Sequence, residues 1–313
     1  MLTRKHNIRT IKDKINRKSK RKYSRTMNKY DTVFLKKIGQ VDGNSKYPIY
    51  DVKQLEKQYY RDDSCESKGT YIGNVKDKQR HGKGIMKYIN GSIYDGYWKK
   101  GKKRHGKGIL KYDNGDIYDG NWKDNLRNGK GILKYDNGEI YDGHWKDNVR
   151  DGKGIMKFKN GNIYDGDWEK DKQNGKGIMK FKDGFIYNGD WENNERNGKA
   201  IIKYSDGSTS NGQWKNGLKD GYNTYYFTNG NIYTGQWMDN VKNGKGIMKF
   251  KNGDIYDGHF ENDKINGQGK MTYKNGDVYE GNWEDGKQNG IGIMKYANGK
   301  IEMGHWENNK KIK

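Results

Sequence analysis

The sequence predicts an all-β fold: an elongated, single twisted antiparallel sheet of tandem 23-residue β-hairpins, with a basic N-terminal arm and a short capping helix. Three observations predict it. A unit of 23 residues recurs along most of the chain. Within each unit, aromatic residues and glycines alternate with polar residues, the pattern of a strand with one buried face. The chain is 13% aromatic and has 45 glycines but only one proline, which argues against a disordered chain because such chains have far fewer Trp and Tyr.

The repeating unit is clearest where YDGHWKDNVRDGKGIMKFKNGNI, residues 141–163, is followed at once by YDGDWEKDKQNGKGIMKFKDGFI, residues 164–186. A single hairpin is only marginally stable in water, whereas stacked units bury a continuous core. One unit is a residue longer, near Lys102, and a partial eleventh unit starts at Glu302, so the array spans residues 71–313. The ten full units begin at Tyr71, Tyr94, Tyr118, Tyr141, Tyr164, Tyr187, Ser210, Tyr233, Tyr256 and Tyr279.

Each unit contains two predicted strands. In IYDGNW, residues 117–122, alternation places Tyr118, Gly120 and Trp122 on one face and the polar residues on the other. In GILKY, residues 131–135, the glycine, leucine and tyrosine share a face in the same way. Between units there is always an Asn-Gly or Asp-Gly pair, which predicts a tight two-residue turn, and a looser turn is expected inside each unit.

The aromatic residues predict the core. All nine tryptophans occupy one position of the unit, with Val75 and Phe260 in the two remaining copies. Each large ring can bury about 150 to 250 Å², and the glycines leave room for rings to lie on bare backbone. At about 10 Å per hairpin, we expect an array about 100 Å long. The predicted structural core includes Tyr94, Trp98, Tyr118, Trp122, Tyr141, Trp145, Tyr164, Trp168, Trp191 and Trp237.

The pattern YxGxW, then GKxHGxGxxxY and a final glycine, is plainest in residues 94–115 and closely resembles the membrane occupation and recognition nexus, or MORN, repeat. The resemblance implies an elongated hairpin array that acts as a scaffold, a dimerisation module or a membrane-proximal tether. Some members of that family are fused to lipid kinases or methyltransferases, but no attached catalytic domain is visible in this sequence. Only His81 and His105 keep the family's histidine, and later units have Asn or Asp there.

Residues 31–70 are interpreted as a linker and capping segment. Asp51 with Gln54 resembles a capping box, and Val52, Leu55 and Tyr59 recur at helical spacing. We therefore expect a short helix over residues 52–61 that covers the first edge of the sheet.

Residues 1–30 contain twelve Lys or Arg and one acid, Asp13, and so carry nearly half of the net charge of +23. Such a block predicts a mobile, disordered arm, and contact with an anionic membrane surface is its first functional interpretation. A nuclear signal in NRKSKRK stays open, and nucleic acid is disfavoured but not excluded. The candidate residues for anionic-lipid contact are Arg17, Lys18, Lys20, Arg21, Lys22 and Arg25.

A second basic feature is the row of lysines along the second strands, which could also contact phosphoinositides. Aspartates of the first strands share that face, so cross-strand pairs should neutralise much of its charge. The row comprises Lys87, Lys111, Lys134, Lys157, Lys180, Lys203, Lys249 and Lys295, and the aspartates are Asp95, Asp119, Asp142, Asp165 and Asp257.

The seventh unit departs from the others. Ser210 replaces the usual tyrosine, and GYNTYYF replaces GKGIMKF, so Tyr225 falls on the aromatic face and is expected to fill the gap. Tyr222 and Tyr226 then lie on the opposite face, where other units have lysine, and predict a partner or self-association patch. A local repacking around Ala200 and Thr209 explains the same residues equally well.

The sequence predicts no enzyme, cofactor or metal. The histidines are spread over different units, the acids recur with the repeat, and GKGIMK lacks the spacing of a phosphate-binding loop. One cysteine and no long apolar run favour an intracellular, cytoplasmic protein, membrane-peripheral through its arm. The predicted function is a non-enzymatic scaffold for protein partners, itself included as a homodimer. The alternative is a peripheral tether that binds anionic lipids through the arm and the lysine-rich face.

Overall fold

The computed structural model describes residues 60–62, 69–99 and 103–313, which belong to the unit Lys53–Lys313. Every regular element in this part of the chain is a strand. The first twelve are β1 Tyr60–Asp62, β2 Gly69–Lys76, β3 Gln79–Tyr88, β4 Ile93–Lys99, β5 Lys103–Lys111, β6 Ile117–Lys123, β7 Leu126–Lys134, β8 Ile140–Lys146, β9 Val149–Lys157, β10 Ile163–Glu169, β11 Lys172–Lys180 and β12 Ile186–Glu192. The remaining strands are β13 Glu195–Lys203, β14 Thr209–Lys215, β15 Leu218–Tyr226, β16 Ile232–Met238, β17 Val241–Lys249, β18 Ile255–Glu261, β19 Lys264–Thr272, β20 Val278–Glu284, β21 Lys287–Lys295, β22 Ile301–Glu307 and β23 Lys310–Lys311.

The 23 strands form one antiparallel sheet in which each strand pairs with its neighbours in sequence. The predicted all-β class and the single antiparallel sheet of tandem hairpins are therefore confirmed. The partial eleventh unit supplies β22 and β23 at one edge, while β1 and β2 lie at the other.

The tight turn and the longer loop lie at the reverse of the positions that the sequence predicts: the tight turn is inside the repeats and the longer loop is between them. Inside the third repeat, Asp124 and Asn125 alone join β6 to β7, and both have positive φ, 48° and 75°. This is the tight two-residue turn. Between repeats, five residues separate β5 from β6, and the Gly115 N–H donates to the Tyr112 carbonyl at 3.2 Å. The predicted assignment is wrong because Asn-Gly also suits this longer loop, in which only Gly115 has positive φ.

Each hairpin also contains an irregularity that the sequence pattern does not reveal. In the third repeat Gly120 lies opposite Gly131, but Trp122 lies opposite Arg127, so residues 128–130 face a single residue of β6. Gly129, in the middle of this bulge, has φ 76° and pairs instead with Trp145 of the next repeat. The bulge resets the register so that tight turns and longer loops alternate along the sheet.

The predicted capping helix over residues 52–61 is not supported. Tyr60 and Arg61 lie in β1, opposite Tyr71 and Thr70, so the prediction is wrong at these two residues. The physical reason is that the edge of β2 presents N–H and C=O groups that another strand can pair and a helix cannot. Residues 52–59 and the arm lie outside the described residues. In the described part of the chain, no helix has the length and apolarity needed to cross a lipid bilayer.

Candidate functional site

The two faces of the sheet have different compositions. We call the face that carries Tyr118 and Trp122 the aromatic face, and the face that carries Asp119 and Lys134 the opposite face. On the aromatic face, Tyr118 is fully buried because its ring lies across two facing glycines, Gly120 and Gly131. A Cβ atom added at either glycine would lie 2.5 Å or less from the Tyr118 hydroxyl oxygen. The glycines are therefore needed for space.

Hydrogen bonds fix both kinds of ring. The Tyr118 hydroxyl donates to the Asn121 carbonyl at 2.9 Å, and the Trp145 indole N–H donates to the Gly131 carbonyl at 3.0 Å. The Tyr118 ring also contacts Trp122 and Trp145 edge-on, at centroid distances of 4.9 and 5.6 Å. Each tyrosine thus links the tryptophan of its own repeat to that of the next.

The ten residues predicted for the core lie on this face. The four tyrosines among them are fully buried, and the six tryptophans are 3 to 6% exposed. Burial raises the pKa of Tyr71 and of Tyr279 to about 12, although nearby Arg80 opposes the rise at Tyr71. These phenols therefore remain neutral donors at physiological pH.

A row of arginines on the aromatic face has no counterpart in the sequence prediction. The Arg127 guanidinium lies 4.1 Å from the Trp145 ring centroid and donates to the Asn148 carbonyl at 2.8 Å. Arg104 and Arg150 stack on the next tryptophan in the same way, at 4.2 and 4.3 Å. These contacts join the second, third and fourth repeats each to the following one through cation–π attraction and turn hydrogen bonds. The sequence signal that could have predicted these contacts was the recurrence of arginine at one position of the unit.

The seventh repeat replaces the tyrosine of the aromatic face by a different arrangement. Ser210 stands at the tyrosine position and Asn223 at the second glycine position, opposite Gly212. The Asn223 side chain is 1% exposed, and its Oδ1 would lie 2.1 Å from a Cβ atom on Gly212, where other repeats have a ring. Its amide donates to the Gln213 carbonyl at 3.0 Å, which replaces the bond of the missing phenol.

Tyr225 does not occupy the space above Gly212, contrary to expectation. It lies on the aromatic face opposite Ser210, but its hydroxyl is 2.6 Å from the Ser208 hydroxyl. Its ring contacts Tyr204 and Phe227, at 5.3 and 4.6 Å. Asn223 is the residue that fills the gap, because it projects from the strand directly beside it.

Two indoles lose their hydrogen bonds in this region. Trp214 and Trp237 have buried N–H groups without a partner, and the residues fourteen positions earlier are Ala200 and Asn223. Seven other tryptophans each bond to a glycine carbonyl at that spacing. Where a residue with a side chain replaces the second glycine, the indole N–H fourteen residues later therefore has no hydrogen-bond partner. The buried aromatic residues also separate into two clusters here, one ending at Trp214 and one beginning at Tyr233.

Lys219 takes the arginine position of the seventh repeat. Its residue is 8% exposed, and its Nζ lies 3.7 Å from the Trp237 ring centroid and 4.6 Å from that of Tyr225. Burial lowers the pKa of Lys219 to about 8; nearby Asp263 opposes the shift and Lys242 adds to it. The ammonium has no hydrogen bond or ion pair within the described ranges. Lysine is too short to reach the turn carbonyl that Arg127 contacts.

On the opposite face, the predicted lysine row runs diagonally to the aspartates. Ile132, not a lysine, lies directly opposite Asp119, and Lys134 lies two residues farther along its strand. Burial lowers the pKa of Lys134 and Asp119 opposes the shift. The lysines nearer the bulge form ion pairs, such as that of Lys153 with Asp167 at 2.6 Å.

The seventh repeat and the strand after it interrupt this charged face. Tyr222 and Tyr226 are 55% and 47% exposed, and they replace lysines on β15. The Tyr222 N–H donates to Gln213 Oε1 at 2.9 Å, and the Thr224 and Thr234 hydroxyls are 3.2 Å apart. We define the neutral patch as the uncharged residues in three rows across β14, β15 and β16, namely Thr209, Tyr226, Ile232, Asn211, Thr224, Thr234, Gln213, Tyr222 and Gln236.

The remaining candidates are metal-binding side chains, surface depressions and the lipid-contact residues of the arm. No group of three His, Cys, Asp or Glu side chains in the described ranges could hold a metal ion. A surface depression of about 610 Å³ is open to solvent and lined by residues such as His144, Asp151 and Lys153. The six basic residues predicted to contact lipid lie outside the described residues.

An array of hairpins that share one aromatic layer defines a repeat protein. The MORN repeat model matches ten consecutive segments, from residues 71–93 to residues 279–301, with boundaries close to those of the units above. The chain belongs to the MORN repeat family.

Two solved structures resemble this chain only loosely. The wild-type TCP10 domain of Danio rerio CPAP, in complex with a peptide of Danio rerio STIL, is 14% identical with a TM-score of 0.40 over 74% of this chain and 97% of that one. The SAS-4 (dCPAP) TCP domain of Drosophila melanogaster, with a proline-rich motif of Ana2, is 17% identical with a TM-score of 0.33 over 57% and 90%. Neither TM-score reaches 0.5, so neither informs the function of this chain. A search of curated proteins finds no match.

Proposed function

We propose that this chain is a non-enzymatic scaffold that binds protein partners on the opposite face of its sheet, with the contact centred on Tyr222 and Tyr226. One observation supports this proposal above the others. The opposite face changes from charged to uncharged at the neutral patch, and two exposed tyrosines stand there in place of lysines. The aromatic face also changes in this repeat, at Ser210 and Asn223, but Tyr222 and Tyr226 lie on the other side of the sheet and are about half exposed. Their replacement of lysine therefore suits contact with another molecule.

The exposed tyrosines supply the contact chemistry. Tyrosine is enriched in protein interfaces because it offers a large ring and a hydroxyl at low cost in side-chain entropy. Tyr222 and Tyr226 lie four residues apart on one strand, about 13 Å, with Thr224 between them. The strand holds both rings on one side of the sheet, so a partner can contact them together.

Replacing both tyrosines by lysine tests the scaffold function. Tyr222→Lys with Tyr226→Lys restores the residue type of other repeats and should leave the near-ultraviolet circular dichroism of the core tryptophans unchanged. We expect the double variant to lose proteins that co-purify with the wild-type full chain from cells that express it, measured by quantitative mass spectrometry. Light scattering on a size-exclusion column should show a lower mass if the chain self-associates through this patch.

Tyr97→Lys is the matched control, since Tyr97 is 51% exposed and lies on the same face of β4. The control should keep the co-purifying proteins. Equal recovery with the wild type and the double variant would show that the neutral patch is not the contact site.

The basic arm supports a second candidate function, that of a peripheral membrane tether. The supporting observation is its charge, twelve Lys or Arg against one acid in residues 1–30. Replacing the six candidate residues of the arm, Arg17, Lys18, Lys20, Arg21, Lys22 and Arg25, by glutamine should abolish flotation of the full chain with phosphatidylserine vesicles. Unchanged flotation would assign any membrane affinity to the sheet instead.

A further inference from the structure

The neutral patch lies between two pairs of lysines. On β13, Lys199 and Lys203 flank it on one side, and on β17 Lys245 and Lys249 flank it on the other. The three central rows of these five strands point four lysines and no acid away from the aromatic face. None of the four ammonium groups forms an ion pair with another described residue.

This arrangement differs from the rest of the opposite face. In most other repeats an acid stands where the patch has Asn211 and Thr234, as at Asp165 and Asp257, so positive and negative charges alternate there; the sixth repeat has Asn188 at this position. Asp167 and Asp190 also pair with lysines of the preceding strand. Around the neutral patch the acids are missing and the lysines remain. The surface therefore has an uncharged centre and two positive sides.

The size of the patch argues against a second copy as its occupant. Three strands at about 4.8 Å and three rows at about 6.6 Å cover about 300 Å² of the sheet. A stable dimer buries about 800 Å² on each partner. A larger contact would bring the flanking lysines of two copies together, and each copy already has a net charge of +23. A short extended segment of another protein fits both the area and the charge.

We propose that the neutral patch binds an extended peptide segment with an uncharged centre and an acidic residue at each end, laid across the strands. The two lysine pairs are four strand spacings apart, about 19 Å. At about 3.3 Å per residue, the acidic residues of the partner stand about six residues apart. This inference rests on the proposed scaffold function and specifies the chemistry of the partner.

The centre of the patch suits such a segment. The side chains of Asn211, Gln213 and Gln236 are exposed and offer amide N–H donors to the backbone of a bound peptide. The side-chain oxygens of Gln213 and Gln236 already accept from the Tyr222 and Lys245 N–H groups. The rings of Tyr222 and Tyr226 cover apolar side chains of that peptide. The flanking lysines fix its position and supply a salt-dependent part of the affinity, because exposed ion pairs are screened by salt.

A random library of 12-residue peptides displayed on phage, selected on the full chain, tests the proposal. We expect the enriched peptides to place two acidic positions about six residues apart, with about five uncharged residues between them. A synthetic enriched peptide, followed by fluorescence anisotropy, should bind at least about tenfold more weakly to the Tyr222→Lys and Tyr226→Lys variant. Lys203→Glu with Lys249→Glu should weaken binding about fivefold or more, whereas Lys111→Glu, on the same face of β5, should not.

Other outcomes overturn the proposal. No enrichment, enriched peptides without acidic ends, or peptides that bind the tyrosine variant equally well would each do so. Self-association of the wild type that the tyrosine variant loses would make a second copy the occupant. Binding of phosphatidylserine vesicles that the tyrosine variant loses would make a membrane the occupant of the neutral patch. If that variant loses its cellular partners while the library gives no acidic motif, the scaffold function stands and only the partner chemistry fails.

Discussion

The third repeat, residues 118–140, and the seventh, residues 210–232, have strands of the same length but fill the aromatic face differently. In the third, the Tyr118 ring covers two glycines and donates to the carbonyl before the tryptophan. In the seventh, Asn223 fills that space from the neighbouring strand and bonds the matching carbonyl. The fold therefore requires a filled space and a donor at this site, and it does not require the tyrosine itself.

The substitution has a cost that the third repeat does not carry. The indole of Trp145 is bonded to Gly131, whereas that of Trp237 has a buried N–H without a partner. A buried unsatisfied donor costs about 1 to 3 kcal/mol. The seventh repeat should therefore be the less stable of the two.

The largest expected effect tests this difference directly. Trp145→Ala should lower the free energy of unfolding by about 3 to 5 kcal/mol, as large-to-small changes of buried aromatic residues do. Trp237→Ala should cost about 1 to 3 kcal/mol less, because the wild type already lacks that indole hydrogen bond. Urea denaturation followed by circular dichroism measures both losses. Equal losses would contradict the comparison.

A double-mutant cycle converts the seventh repeat into a regular one. Ser210→Tyr alone should destabilise the chain by about 1 to 3 kcal/mol, because the new ring meets the Asn223 side chain. Asn223→Gly alone should cost a similar amount, because it leaves a cavity and removes the amide donor. The double variant should be at least as stable as the wild type, with a coupling energy of about 2 kcal/mol or more between the sites. Additive single effects in thermal or urea unfolding would show that the two residues do not compensate each other.

The smallest expected effect depends on pH. The pKa of Lys219 is lowered by burial to about 8, below its value of about 10.4 in an unfolded chain. As pH rises above 8 the folded state loses the proton first, so the unfolded state holds more protons and stability rises with pH. The wild type should gain on the order of 1 kcal/mol between pH 7 and 9 relative to Lys219→Met.

The control for this prediction is Lys215→Met, which removes an exposed lysine from the adjacent strand. Its stability should follow the wild-type dependence on pH. Parallel curves for the wild type and Lys219→Met would show that Lys219 is not deprotonated in this window. Above about pH 10 the tyrosines determine the pH dependence instead. The phenols of the unfolded chain ionise there while buried phenols with a pKa of about 12, such as those of Tyr71 and Tyr279, stay neutral, so the stability of the fold decreases as pH rises.

The sequence pattern predicts the regular part of this molecule well. Alternation of rings and glycines predicts the strands, and the 23-residue period predicts their order, because each unit can bury its aromatic face only against its neighbours. The turns are less predictable. Asp124-Asn125 and Asn114-Gly115 both tolerate positive φ, and the bulge at Gly129 decides which pair forms the tight turn.

The contacts between repeats are harder to predict than the strands. Arginine is normally a surface residue, so stacking of Arg127 on Trp145 depends on distances that only the fold provides. The replacement of Tyr by Asn223 is hidden for the same reason, because the two positions lie on different strands. The neutral patch is partly visible as Tyr222 and Tyr226, but the lysines around it become neighbours only once the register is known.

The separation of the aromatic residues into two clusters, one ending at Trp214 and one starting at Tyr233, affects how the array melts. Cooperativity in such arrays passes from each repeat to the next. The partly buried rings of Tyr204 and Tyr225, 5.3 Å apart, join the two clusters, and we expect this weaker interface to let the array melt in two blocks. The neutral patch, on β14 to β16, lies on the reverse side of that junction. A ligand held across it would brace the junction, and we expect the two blocks then to melt as one.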